Sequence, residues 1–108
     1  MPHIELKYCI EIDLNPDIVL SGIESLLKEY DHEFGLFKSR SYHYDTLSPH
    51  VLLELSLKKK PHRDDKYLNG LLIAIEKQLQ SSLPENTQFS IEIKFLSPYY
   101  LSGQSKSE

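Results

Sequence analysis

Apolar and polar residues alternate from residue 4 to residue 12. Ile4, Leu6, Tyr8, Ile10 and Ile12 fall on one side; Glu5, Lys7, Cys9 and Glu11 fall on the other. Period two predicts a strand with one buried face. The spacing then changes. Asn15-Pro16-Asp17 predicts a helix start, with Asn15 as N-cap, Pro16 at the first helical position and Asp17 at the positive end of the helix dipole. Val19, Ile23, Leu26, Leu27 and Tyr30 follow at helical intervals, and residues 31–35 close the element. Residues 36–46 return to strand character, with Lys38, Arg40, Tyr42 and Tyr44 on one face. Ser48-Pro49 breaks the chain, and residues 51–58 predict a third strand with Val51, Leu53, Leu55 and Leu57 on one side. A polar loop leads into a second helix whose stripe is Leu68, Leu71, Leu72, Ile75 and Leu79. Leu83-Pro84-Glu85-Asn86 ends it. Residues 87–96 alternate again through Phe89, Ile91, Ile93 and Phe95.

The order is strand–helix–strand, twice. At an offset of 48 residues Gly22 falls on Gly70, Ile23 on Leu71, Leu27 on Ile75 and Ile4 on Leu52. A glycine inside a helix costs about 1 kcal/mol against alanine, so matched glycines predict close helix–sheet packing in two similar units. Each unit needs a right-handed crossover, which places both helices on one face of the sheet. The expected fold class is therefore α+β, two βαβ units forming a four-stranded mixed sheet with two helices on one face. Residues 1–100 form one domain in this reading. The chain turns polar at Ser97, residues 101–108 form a tail, and disorder is expected over the last six. The sheet's other face is mixed, with Glu5, Lys7, Cys9 and Glu11 beside Leu52, Glu54 and Ser56. Water or a second copy of the chain can cover such a face.

Composition narrows the function classes. The chain has 108 residues, 12 Lys+Arg against 16 Asp+Glu, and a formal charge of −4. That balance argues against a general nucleic-acid binder, which carries a basic field. The third strand "VLLELSLK" also lacks the stacking aromatics that an RNA-binding βαββαβ module needs. No apolar run approaches a membrane span of about 20 residues. The first residues do not form an apolar signal segment. With the single cysteine Cys9 and no intrachain disulfide, this makes the cytoplasm the expected location. Cys9 is expected as a packed or half-exposed thiol. The histidines His3, His32, His43, His50 and His62 show no i,i+4 pair and no cysteine spacing, so no metal site is expected. Neither a G-x-S-x-G nucleophile motif nor a glycine-rich phosphate loop is present. Lys58-Lys59-Lys60-Pro61-His62-Arg63 is the most basic stretch. It is either a solvated loop or an anion site before a helix.

The opening "MPHIEL" places Pro2 directly before the first strand. Proline has no N–H to offer a ladder, so a strand start suits it. Removal of Met1 would leave Pro2 with a free secondary amine.

The opening "MPH", the "KSR" of residues 38–40, the spacing from Leu57 to Arg63 and the late "SIEIKFLSP" resemble 5-carboxymethyl-2-hydroxymuconate isomerase. That family lies in the tautomerase superfamily with 4-oxalocrotonate tautomerase and macrophage migration inhibitory factor. The resemblance runs from Met1 to about Tyr100. It implies a tautomerase-like homotrimer, a polycarboxylate dienol substrate, no cofactor, and Pro2 as catalytic base after loss of Met1. It also implies that Lys38, Arg40 and Arg63 bind substrate carboxylates. Where the family pattern has Arg-Ser-Arg, this chain has Lys38-Ser39-Arg40, so the charge is kept and the bidentate fork lost at Lys38. Two other readings stay open: a non-catalytic binding or assembly protein on the same scaffold, and a tautomerase for another α-keto acid.

Overall fold

The computed structural model describes residues 1–106; the last two residues of the predicted tail lie outside that range. The elements are β1 (His3–Cys9), α1 (Pro16–Tyr30), β2 (Lys38–Tyr44), β3 (Val51–Leu57), α2 (Asp65–Ser82) and β4 (Phe89–Phe95). The sheet order is β2-β1-β3-β4. β1 pairs parallel with β2, β3 pairs parallel with β4, and β1 meets β3 antiparallel. Two βαβ units and a mixed sheet are what the element order predicts.

Local chemistry sets the boundaries. Asn15 Oδ1 accepts from the N–H groups of Asp17 and Ile18 at 3.0 and 3.4 Å, which caps α1 as the sequence predicts. Asp64 does the same for α2 through the Tyr67 N–H at 3.0 Å. β1 is shorter than the predicted 4–12. The Ile12 N–H turns back to the Cys9 carbonyl at 3.0 Å, and Ile10 is left exposed although the alternation continues through it. β2, β3 and β4 are also trimmed at their ends relative to 36–46, 51–58 and 87–96. Cys9 is a buried free thiol.

The core lies between the helices and one face of the sheet. Ile4, Leu6, Leu53, Leu55 and Leu57 meet Val19, Ile23 and Leu27 of α1 and Leu71, Ile75 and Leu79 of α2, all buried. β2 contributes little to it. Its helix-facing positions are Ser39, Ser41 and His43, in register with Ile4, Leu6 and Tyr8. β2 is held by the ladder and by a hydrogen bond from Ser39 Oγ to Glu24 of α1 at 2.5 Å. Lys38, Arg40, Tyr42 and Tyr44 therefore share the opposite, open face with His3, Glu5 and Lys7.

The matched glycines have a different use from the predicted helix–sheet contact. Both lie between the helices. A Cβ on Gly22 would meet Gln78 Nε2 at 2.5 Å, and one on Gly70 would meet Tyr30 Oη at 2.6 Å. Each glycine receives the side chain eight positions after the other one, so the 48-residue offset describes a reciprocal α1–α2 contact. The offset fails in the strands. Ile4 pairs with Leu55 on the helix side, whereas Leu52 pairs with Lys7 on the open side. With a side-chain period of two, a one-residue slip exchanges faces.

Candidate active site

Pro2 is buried at the mouth of β1, and its carbonyl accepts from the Lys38 N–H at 2.9 Å. That bond extends the β1–β2 ladder by one rung without needing an N–H from proline. Pro2 lines a small cavity of about 70 Å³ together with Met1, Glu33, Phe34, Gly35, Lys58, Lys60 and Arg63. A larger hollow of about 790 Å³ opens on another side of Met1. Its wall includes Lys58, Lys59, Phe95, Pro98, Tyr100 and Ser102. The amino terminus thus stands between two concave surfaces, and Lys58 borders both.

Arg63 reaches the Pro2 cavity as a heavily engaged side chain. Its Nη1 donates to the Lys58 carbonyl at 2.7 Å. Its Nε and Nη2 donate to Asp31 Oδ2 at 3.4 and 3.3 Å, and the guanidinium lies 4.6 Å over the Phe34 ring. Asp31 follows the end of α1, and its Oδ2 also accepts from Tyr67 Oη at 2.6 Å and faces His62 Nε2 at 3.0 Å. Burial works against the Asp31 carboxylate. The Tyr67 and His62 hydrogen bonds, the Glu33 N–H and the Arg63 charge overcome it and hold Asp31 well below the usual carboxylate range. The Tyr67 hydroxyl moves the other way, raised by its burial and by the Asp31 charge. Asp31, Glu33 and His62 bring ligand-type atoms within 4.8 Å of one another. Asp31 Oδ2 already accepts from Tyr67 and pairs with Arg63, so a cation there would meet a guanidinium. The group works as a hydrogen-bonded clamp joining the end of α1 to the start of α2.

Lys38 and Arg40 lie on β2, beside β1, and line neither hollow. Arg40 Nε donates to Glu5 Oε1 at 3.2 Å and to Tyr42 Oη at 3.0 Å. Its Nη1 lies 3.0 Å from His3 Nδ1. Arginine can only donate, so His3 Nδ1 accepts and His3 Nε2 carries the proton toward Tyr100 Oη at 2.7 Å. Burial, followed by the Arg40 and Lys38 charges, lowers the His3 pKa and favours this neutral form. Ser102 Oγ donates to Tyr100 Oη at 2.7 Å, and Lys38 Nζ donates to Ser102 Oγ at 3.2 Å. A continuous chain of bonds therefore runs from Arg40 through the residues after β4 to Lys38.

Of the residues singled out in the sequence, Pro2 and Arg63 share a cavity. Lys38 and Arg40 share the open sheet face. Sequence reasoning missed the clamp of Asp31 and Tyr67, the tie between His3 and Tyr100, and the double position of Lys58. The basic run marked Lys58 without separating it from its neighbours. Nothing in the pattern marked Asp31 beyond the end of a helix.

No protein-family model matches the chain, and no curated protein matches its sequence. Solved structures do match its fold. One is a 5-carboxymethyl-2-hydroxymuconate isomerase from Deinococcus radiodurans R1, with a TM-score of 0.68 and 16% identity over 97% of this chain and 90% of that one. A second is the W0 fused 4-OT wild-type symmetric trimer, with a TM-score of 0.70 and 12% identity over 94% and 93% of the two chains. A third is a macrophage migration inhibitory factor-like protein from Entamoeba histolytica, with a TM-score of 0.66 and 10% identity over 95% of each. At these identities the likeness is one of fold. The chain has the tautomerase-like, migration-inhibitory-factor-like fold that the sequence resemblance implies.

Proposed function

We propose that the chain is a cofactor-independent isomerase or tautomerase of a polycarboxylate dienol such as 5-carboxymethyl-2-hydroxymuconate. Pro2 is its general base once Met1 is removed, and it works in the cytoplasm as a homotrimer. One observation carries the reading. On a fold shared with a 5-carboxymethyl-2-hydroxymuconate isomerase, Pro2 lines a cavity with three cationic side chains, Lys58, Lys60 and Arg63.

The chemistry follows from the position of the amine. As the second residue, Pro2 has an amide nitrogen with no basic lone pair. As the first, it has a secondary amine. An α-amino group titrates near about 7.7–8.0 in the absence of neighbours, and nearby lysines disfavour its charged form. The neutral amine takes a proton from the enol oxygen or from carbon and returns it to another carbon of the conjugated system. Between the two transfers the substrate is a dienolate, which cations around the cavity stabilise. Lys38 and Arg40 enter the reading as further anchors, on the open face that a second copy covers in the trimer.

The test uses untagged protein from cells. Intact mass should show that Met1 is gone, and ultraviolet absorbance should show 5-carboxymethyl-2-hydroxymuconate being consumed. Pro2→Ala should slow turnover about 100-fold or more, the usual contribution of a general base, with an unchanged circular dichroism spectrum. Undiminished turnover in Pro2→Ala, or active protein that retains Met1, rules the mechanism out. Retained Met1 together with no turnover on any enol acid favours the non-catalytic reading.

A further inference from the structure

We infer that Lys58 is the residue that anchors a substrate carboxylate beside Pro2; the inference rests on the reading of Pro2 given above. Three cations line the Pro2 cavity. Two are already committed. The Arg63 side chain is only 3% exposed, and each of its three guanidinium nitrogens donates within the protein, to Asp31 or to the Lys58 carbonyl. Three of its five N–H donors are thus used within the protein, and the Asp31 carboxylate beside it offsets its charge. Lys60 Nζ lies 3.4 Å from Glu33 Oε1, so each of these charges has an anion beside it.

Lys58 differs. It is exposed, and among the described residues no carboxylate lies within ion-pair distance of it. With Arg63 offset by Asp31 and Lys60 by Glu33, Lys58 supplies the uncompensated positive charge of the cavity. Its main chain is fixed while its ammonium is free. Arg63 Nη1 holds the Lys58 carbonyl at 2.7 Å, the Arg63 N–H holds the Lys60 carbonyl at 3.0 Å, and the Leu96 N–H holds the Leu57 carbonyl at 2.8 Å. A flexible stem rising from a pinned backbone lets a point charge sweep both hollows beside the amino terminus. Lys59 borders only the larger one. The ligand class is an α-keto or enol carboxylate whose acid group lies close to the carbon that exchanges the proton.

Two electrophiles separate the anchor from the amine. 2-Oxo-3-pentynoate carries a carboxylate, and 3-pentyn-2-one is its neutral counterpart. In both, the Pro2 nitrogen adds to the alkyne carbon β to the ketone. One N–C bond forms, the amine proton ends on the adjacent carbon, and nothing leaves, so the protein gains the full mass of the probe. Labelling rates are read by intact mass on protein lacking Met1, with the site mapped to the amino-terminal peptide. Lys58→Gln should slow the anionic probe about tenfold, the scale of one hydrogen bond to a charged group. It should leave the neutral probe within twofold, and Lys59→Gln should leave both rates near wild type. An unchanged ratio of the two rates in Lys58→Gln, or a loss confined to Lys59→Gln, overturns the anchor and leaves Pro2 standing. Absence of any adduct at Pro2 with either probe in the unsubstituted protein overturns the Pro2 reading and the anchor with it.

Discussion

Asp31 shows how much chemistry one unremarked position can carry. Its side chain is 7% exposed and is faced by Arg63, Tyr67 and His62. Removing one member of a buried ion pair leaves the other charge uncompensated, which typically costs about 3–5 kcal/mol. Asp31→Asn should therefore destabilise the fold by about 3 kcal/mol at pH 7, measured by urea unfolding. The pH dependence fixes the cause. The folded carboxyl has a pKa below the unfolded value of about 3.9. The unfolded chain therefore binds more protons as pH falls past that value, and the stabilisation is full above it and lost below. The gap between wild type and Asp31→Asn should be constant from pH 7 to about pH 5 and narrow below about pH 4. A gap that does not narrow would show that the charge is irrelevant and that shape alone is lost. The sequence displayed Arg63 as a cation before a helix, but its partner is 32 positions away in another unit. Only tertiary contact reveals that this cation is already held, which is why it was legible as a ligand-binding group and not as a clamp.

At the scale of elements, local signals served well and long-range ones less so. Asn15, Pro16 and Asp17 mark the start of α1 because capping is settled within four residues. The end of β1 was not legible. Ile10 and Ile12 keep the alternation, while the chain turns because Ile12 bonds back to Cys9. The glycines were legible as a pair but not as a helix–helix contact, because the 3.6-residue period does not say which neighbour a face meets. Their equivalence is also unequal in detail, and this gives a differential prediction. A methyl group at Gly22 would press on the amide end of Gln78, a long side chain that can swing away. A methyl group at Gly70 would press on Tyr30 Oη, which donates to the Tyr67 carbonyl at 2.6 Å and whose ring packs edge-on against the Tyr67 ring. Alanine gains about 1 kcal/mol over glycine in a helix interior. Gly22→Ala should therefore be neutral or stabilising by up to about 1 kcal/mol. Gly70→Ala should destabilise by about 1–2 kcal/mol through overpacking. Equal effects of the two substitutions on the thermal midpoint would contradict the contact described.

At the scale of the whole molecule, the open sheet face is the surface that bears on the proposed homotrimer. Its alternation predicted a face of mixed polarity, but whether those charges are bare or paired depends on register across four strands. They are paired. Glu54, nearly buried at the centre of the face, has Lys7 Nζ at 2.7 Å from Oε1 and Lys94 Nζ at 3.1 Å from Oε2. The two lysine ammoniums hold its pKa down by hydrogen bonding. Glu5, opposite Glu54 in the β1–β3 ladder, pairs with Arg40 at 3.2 Å. Paired charges lose less on desolvation than bare ones, so such a face tolerates cover by another copy. β2 and β4 supply free edges at the two ends of the sheet, and free edges invite pairing. For the proposed homotrimer, sedimentation should give about three times the 12.6 kDa chain mass at micromolar concentration. Glu54→Gln should shift the population toward smaller species, because it leaves Lys7 and Lys94 facing each other across β3 without an anion between them. It should leave the helical circular dichroism signal intact, since the α1–α2 side of the sheet does not touch Glu54. A monomer at every concentration in the wild type would remove the trimer from the proposal. A trimer insensitive to Glu54→Gln would mean that contacts along the β2 and β4 edges, and not the charge pattern of the face, hold the copies together.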